Sequence, residues 1–371
     1  MAYGVVATDT ITSSTGQTFS PASGSATMKN RIINGDMRID QRNAGANTTP
    51  NSGNTYTVDR WFLSASQNTK FTVGQNLNSV SLPTGFSKYL GASVASAYTS
   101  GSSDYFSLSQ NIEGFNIADL GWGTATAKSV TLSFWVYSSL TGTFSAAVQN
   151  SGASRSYPFT YSVSTANTWT QISVIIPGDT TGTWLTTNGT GISLNFNLGS
   201  GSSLLGTAGL WSGNWYIGAT GANNIVANAS ATFYITGVQF EQGPVATSFD
   251  FRHYGQELAL CQRYYEKSYA QGTVPGTVTD TGRMVNVFGS LSTAYIGGFI
   301  LYKVTKRVSG TPTVYNPANG TSGQIATYNF GSVTNNTAPT VTNANDTGFV
   351  FYYSGVNTNG YGVHYTTDAE L

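Results

Sequence analysis

The chain has 371 residues with 16 basic and 16 acidic side chains, zero formal net charge and 43 glycines. Charged residues make up 9% and aromatic residues 13%, against ~25% charged in ordinary soluble domains, so the chain builds cores from rings more than it coats itself with charge. Zero net charge without a basic block excludes an electrostatically driven nucleic-acid binder, and a single cysteine excludes a disulfide framework or Cys-based zinc site.

Residues 1–27 are mostly Thr, Ser, Gly and Ala with one charge, Asp9. So little apolar material cannot form a core, and the segment is expected to be an extended N-terminal arm. Its apolar patches, Val5, Val6 and Ile11, suit β pairing or packing against another chain. The start lacks a basic region followed by an apolar core, so no secretory signal is expected.

Residues 28–60 hold eight of the charges: Lys29, Arg31, Asp36, Arg38, Asp40, Arg42, Asp59 and Arg60. Signs alternate, which predicts ion-paired structure and not a ligand patch. Residues 61–249 then contain only nine charges. That body reads as antiparallel β structure. VTLSFWVY (130–137) alternates Val130, Leu132, Phe134 and Val136 with polar or wide side chains. ISLNFNL (192–198) sets Ile192, Leu194, Phe196 and Leu198 opposite Ser193, Asn195 and Asn197. Further strands are predicted at 144–149, 159–163, 169–176 and 231–240. Period-2 alternation implies sheets buried on one face and wet on the other. Gly, Asn, Ser and Thr clusters separate the strands as turns, giving a jelly-roll-like β-sandwich.

Residues 250–267 carry six more charges and the one good helical run, 255–267. Tyr254, Leu258, Cys261 and Tyr265 fall on one face of it. So short a helix needs support from the sandwich or a partner. Strand patterns return at 284–288, 294–302, 311–315, 324–330, 349–353 and 363–367, enough for a second, smaller C-terminal β domain. The expected division is an all-β chain with an arm (1–27), a sandwich (28–252), a short linking helix (253–270) and the C-terminal β domain (271–371).

Catalytic chemistry finds little material. No G-x-S-x-G elbow is present, and the two histidines, His253 and His364, sit in contexts suited to packing or hydrogen bonding. Cys261 lies on the apolar helix face, where a buried inert thiol is expected. Five glutamates show no clustered carboxylate pair. Asp104, Glu113 and Asp119 lack a D-x-D-x-D-G loop, so no metal is expected. The glycines form no phosphate loop, and no cofactor is implied. Aromatic residues are the remaining candidates. Sugar recognition sets exposed rings against apolar sugar faces, with amide and hydroxyl groups around them. Most tryptophans of such a chain are core. Trp122, Trp184, Trp211 and Trp215 have Gly-rich or loop-like neighbours and are the glycan-binding candidates.

The two charged segments carry a family resemblance. NRIINGDMRIDQRNAG (30–45) with YTVDRWF (56–62) resembles the opening of a module in tailed-bacteriophage fibre and receptor-binding proteins. VQFEQGPVATSFDFRHYGQELALCQRYYEKSY (238–269) resembles the closing motif of that module, and HYTTDAEL (364–371) is similar to the ends of such fibres. The resemblance implies a homotrimeric virion protein with a carbohydrate-binding-module-like sandwich. Its N-terminal arm would attach to tail, baseplate or adaptor proteins, and its distal domain would meet host-surface polysaccharide, with no membrane insertion. The opening arginines would lie near Asp250 and Arg252, and Leu258, Cys261 and Tyr265 would face equivalent chains along a threefold axis. The expected function is non-enzymatic glycan binding by a tail fibre. The alternative is a purely structural virion component, such as a collar, connector or head-decoration fibre.

Overall fold

The computed structural model describes residues 11–12, 18–19, 28–287, 294–329, 332–355 and 360–371. The expected arm therefore lies largely outside the described residues, apart from the antiparallel pair β1 (Ile11–Thr12) and β2 (Thr18–Phe19). The strands that follow are β3 (Gly53–Tyr56), β4 (Phe62–Ala65), β5 (Phe71–Gln75), β6 (Leu90–Val94) and β7 (Tyr105–Glu113). Next come β8 (Val130–Ser138), β9 (Gly142–Gln149), β10 (Ser156–Val163), β11 (Thr170–Ile176) and β12 (Thr190–Ser200). Two short strands, β13 (Leu205–Gly206) and β14 (Gly218–Ala219), precede β15 (Thr232–Gln242).

These strands form the sandwich. A six-stranded sheet in the order β10-β9-β12-β7-β4-β3 faces a five-stranded sheet in the order β11-β8-β15-β6-β5. The chain crosses between the sheets repeatedly, as in a jelly roll. Alternation explains the core: Phe134, Phe144, Phe196 and Phe233 all point inward and are sealed. Phe134 meets Phe196 edge to face with centroids 4.9 Å apart. In β15 a bulge between Thr236 and Gln239 is turned by Gly237 at φ +62°, where an added Cβ would lie 2.6 Å from the Phe86 ring.

One expectation is corrected. Asn195 and Asn197, predicted to face water, are buried at 8% and 3% exposure. The segment between β12 and β15 folds back over this polar face. Tyr216 C=O accepts from Gln149 Nε2 at 2.6 Å, and Asn214 C=O accepts from Ser156 Oγ at 2.6 Å. Beneath it, Ser109 Oγ donates to Asn195 Oδ1 at 2.7 Å and Asn197 Nδ2 donates to Ser145 Oγ at 3.1 Å, so the buried polar groups are paired.

The helix is also shorter than its periodicity suggests. α1 spans Tyr254–Gln262, and the next residues form β16 (Tyr265–Lys267). The remaining strands are β17 (Met284–Val287), β18 (Ala294–Leu301), β19 (Thr311–Tyr315), β20 (Ile325–Asn329), β21 (Ser332–Thr337), β22 (Thr340–Thr342), β23 (Gly348–Gly355) and β24 (Gly360–Asp368). Strand pairing overrides the helical pattern at Tyr265, which lies opposite Asp368 of β24. β24 is the hub of the C-terminal sheet, pairing with β16, β17, β19 and β20.

The face drawn for equivalent chains is occupied by this chain itself. Cys261 is fully buried with Ile33, Ile39 and Tyr264, and Leu258 packs against the same cluster. Tyr265 is 6% exposed, with the Arg42 guanidinium carbon 3.7 Å from its ring centroid. Burial pushes the Cys261 thiol well above its usual range.

Most of the alternating charges are ion-paired, and most of the pairs join distant segments; Asp40 and Asp59 instead accept from backbone and side-chain amides. Arg31 reaches Asp119 and Arg263 reaches Glu113, while Arg252 pairs with Glu257 five residues on. Arg38 Nη2 donates to Arg252 C=O at 2.9 Å and Arg252 Nη1 to Ile32 C=O at 3.2 Å, so opening and closing segments do meet. Partners that the sequence left unnoticed are Asp368 and Glu370, both bound by Arg42. Lys306 and Glu266 form a fully buried pair at 2.6 Å.

Candidate functional site

Loops at one end of the sandwich bring three of the four candidate tryptophans together. Trp122 follows β7, Trp184 follows β11, and Trp211 lies in the segment over the six-stranded sheet. Their centroids are 4.7 Å (Trp122 to Trp184), 5.4 Å (Trp122 to Trp211) and 5.6 Å (Trp184 to Trp211) apart, each pair edge to face. This is the favourable arrangement for ring quadrupoles. Each indole N–H is spent: Trp122 on Lys128 C=O at 2.8 Å, Trp184 on Thr181 C=O at 3.2 Å, and Trp211 on Pro177 C=O at 3.0 Å. Trp122 and Trp184 are both buried at 6% exposure and cannot offer a ring face to a ligand.

An ion pair braces the cluster. Arg155 Nε and Nη2 donate to Asp179 at 2.7 and 2.8 Å, and the guanidinium carbon lies 5.9 Å from the Trp211 ring centroid. Burial alone would raise the Asp179 carboxyl, but hydrogen bonds from Arg155 and Thr181 outweigh it and hold the group below its usual value.

Trp211 is half-buried and reaches the surface. With Leu205, Leu210, Ser212, Tyr216 and Thr220 it lines a depression of about 290 Å³. Leu210 is 59% exposed on its rim. The short parallel pairing of β13 with β14 and the hydrogen bond from Ile217 N–H to Leu204 C=O (2.9 Å) fix the loop's base. Ser212 N–H donates to Ser156 C=O at 2.9 Å and ties down its tip. Trp215 does not join the cluster: 41% exposed, it meets Tyr105 with centroids 5.7 Å apart. The depression therefore offers two ring systems, aliphatic surface and hydroxyls, with no carboxylate, histidine or cysteine in its lining. Such a lining can stack against and hydrogen-bond a neutral ligand.

Neither histidine joins it. His253 immediately precedes α1. His364 is buried, stacked on Tyr269 at 3.9 Å, with Nδ1 2.9 Å from Ser268 Oγ and Nε2 3.0 Å from Thr279 C=O. Asp104 is tied into its own loop, accepting from Ser66, Gln67, Tyr98 and Gly101. Among the described residues, no group of three or more His, Cys, Asp or Glu is placed to hold a metal ion. Among them, too, no helix is long and apolar enough to cross a membrane.

No family model matches the chain. No curated protein matches it either. Similar solved structures include the enzymatically active domain of tailspike protein 4 from bacteriophage CBA120. It is 14% identical over 58% of this chain and 21% of that chain, with a TM-score of 0.30. A putative sugar binding protein from Bacteroides thetaiotaomicron is 10% identical over 58% of this chain and all of its own, with a TM-score of 0.32. The N-terminal cellulose-binding domain of β-1,4-glucanase C from Cellulomonas fimi is 13% identical over 55% of this chain and 98% of that one, with a TM-score of 0.25. Phage and carbohydrate-binding proteins are thus among the structural neighbours, but at these values no ligand or activity passes from them to this chain.

Proposed function

We propose that the chain is a phage virion fibre protein that binds a host-surface glycan without cleaving it. The observation that carries the glycan reading is the depression at Trp211, Tyr216 and Leu210, edged by Ser212 and Thr220 and free of carboxylates. A neutral sugar presents C–H faces to such rings and hydroxyls to such edges. Hydrolysis of a glycosidic bond needs two facing carboxyl groups, which this lining lacks. The virion assignment rests on the resemblance of the opening and closing segments. On that reading the N-terminal arm attaches to other virion proteins, and trimer contacts lie elsewhere than at Cys261 and Tyr265.

A glycan array probed with the full chain tests the binding. Trp211→Ala and Leu210→Asn should each weaken capture of neutral glycans by about tenfold, roughly one good contact. Unchanged capture by both variants overturns the reading. Light scattering at micromolar concentration tests the trimer, which a monomer would refute. A second reading, a purely structural virion component, is favoured by the burial of Trp122 and Trp184, whose rings serve packing. A virion map with this chain fixed between other proteins at both ends would select it.

A further inference from the structure

The C-terminal sheet carries a second depression, of about 390 Å³, built from different chemistry. Val278, Thr279, Asp280, Arg283, Pro317 and Tyr328 line it. Its walls stand over β24 at Gly362, where an added Cβ would lie 2.9 Å from the Tyr328 hydroxyl and 3.3 Å from the Pro317 ring. The glycine leaves room for both walls. The charged rim is equally set. Asp280 to Arg283 form a turn in which Gly282, at φ +82°, packs against Ser268 C=O, and Thr279 C=O lies 3.0 Å from buried His364 Nε2. The site is held ready without a ligand.

Charge in this chain is scarce and mostly consumed. Lys303, Lys306, Arg307, Asp368 and Glu370 are all engaged where α1 and β16 meet the opening segment and the chain's last residues. Among the described residues, Asp280 and Arg283 form the ion pair of the C-terminal sheet that stands apart from that junction. Arg283 Nη1 donates to Asp280 Oδ1 at 2.6 Å and to the Tyr328 hydroxyl, and its guanidinium carbon lies 5.2 Å from the Tyr328 ring centroid. Its Nε and Nη2 make no hydrogen bond among the described residues. That unused edge is the planar fork that takes a carboxylate in two parallel bonds. Val278, 59% exposed, and Pro317 line the same depression, an apolar surface fit for the C–H face of a sugar ring. Asp280, with a 72% exposed side chain, keeps one oxygen free of hydrogen bonds in the structure.

We propose that this depression binds a carboxylate-bearing saccharide of the hexuronate class, its carboxylate on the Nε and Nη2 edge of Arg283. The ring lies over Val278 and Pro317, and Tyr328 anchors the guanidinium through its hydroxyl. Asp280, held on Nη1, repels anions near the site, so a ligand must add the apolar contact with Val278 and Pro317 to its carboxylate, and simple anions are poor occupants. This site is separate from the one at Trp211 and takes a different ligand.

Calorimetry on the full chain tests it with three probes at equal ionic strength: a galacturonic acid trimer, the neutral galactose trimer, and inorganic phosphate. The acidic trimer should bind, and the neutral trimer and phosphate should bind about tenfold more weakly or not at all. Arg283→Gln should lose the acidic trimer by about tenfold. Asp280→Asn, at an exposed side chain that leaves folding intact, should strengthen it, because the repelling carboxylate is gone. Trp211→Ala should leave it unchanged, which separates this result from the sandwich site. Equal binding of the neutral trimer or phosphate, weaker acidic binding by Asp280→Asn, or loss of binding in Trp211→Ala would each overturn the proposal.

Discussion

Arg60 lies flat over Tyr264, its guanidinium carbon 3.6 Å from the ring centroid, while its Nη1 pairs with Glu370. Both charged side chains are nearly sealed, at 1% and 4% exposure. A buried charge left wholly without a partner costs about 3–5 kcal/mol, but Glu370 keeps Arg42 when Arg60 is removed, so the loss here is smaller. Arg60→Met should therefore lower the unfolding free energy by about 1–3 kcal/mol, read by urea denaturation. A cost for Arg60→Met below about 1 kcal/mol would place this pair with ordinary surface bridges.

Asp59 gives the junction a pH dependence. It is fully buried and accepts from Gln41 N–H at 2.9 Å and from the Gln41 side-chain amide. Burial pushes its carboxyl up to about 7 despite the nearby Arg42 charge and these hydrogen bonds. In the unfolded chain an aspartate titrates near ~3.9. Between those values the unfolded state has released the proton that the folded state retains, so stability falls as pH rises from ~4 to ~7 and then levels. Asp59→Asn should remove this component of the slope. Denaturation curves at about pH 5 and about pH 8 for both chains compare it.

Asp179 behaves in the opposite sense. Its carboxyl is held below the usual value, so its contribution is present above the unfolded value and is lost as pH falls through the folded one. Arg155→Met removes the bidentate partner and leaves Asp179 buried at 1% exposure. The variant should lose about 2–4 kcal/mol at neutral pH. Its tryptophan emission should shift red as the three-indole cluster loosens. An unchanged spectrum would mean the indoles hold one another without the ion pair.

Gly237→Ala places a methyl group 2.6 Å from the Phe86 ring on a backbone with φ +62°. Overpacking and backbone strain together should cost about 1–3 kcal/mol, seen as a lower Tm. The Phe86, Phe249 and Phe251 rings, whose centroids lie 4.8–5.3 Å apart, should rearrange with it. Methyl and aromatic NMR shifts confined to those rings would confirm the direct contact.

Strands whose alternation decides their burial were readable in the letters: β8 and β12 follow the inward sets Val130–Val136 and Ile192–Leu198 closely. The short β3, β4 and β6 carry too few periods to be noticed. Asn195 and Asn197 look like solvent-facing positions because a strand pattern says nothing about a loop folding back over the sheet. Glycine neighbours placed the tryptophans in loops, but Trp122, Trp184 and Trp211 are far apart in the chain, and nothing local shows that they meet. Alternating charges did predict ion pairs. The partners of Arg42 lie 326 and 328 residues away, beyond any local signal.

β24 has a consequence for synthesis. Tyr265 of β16 must wait for Asp368, and Arg60 waits 310 residues for Glu370. Sandwich strands can close soon after they leave the ribosome, whereas the junction sets late, as contacts of such sequence separation do. Until then Arg42 and Arg60 lack Asp368 and Glu370 and stay hydrated at the end of the nascent sandwich that lacks its cover. These two arginines thus act twice: first as hydrated charges that keep an open end soluble, then as the bonds that lock it shut.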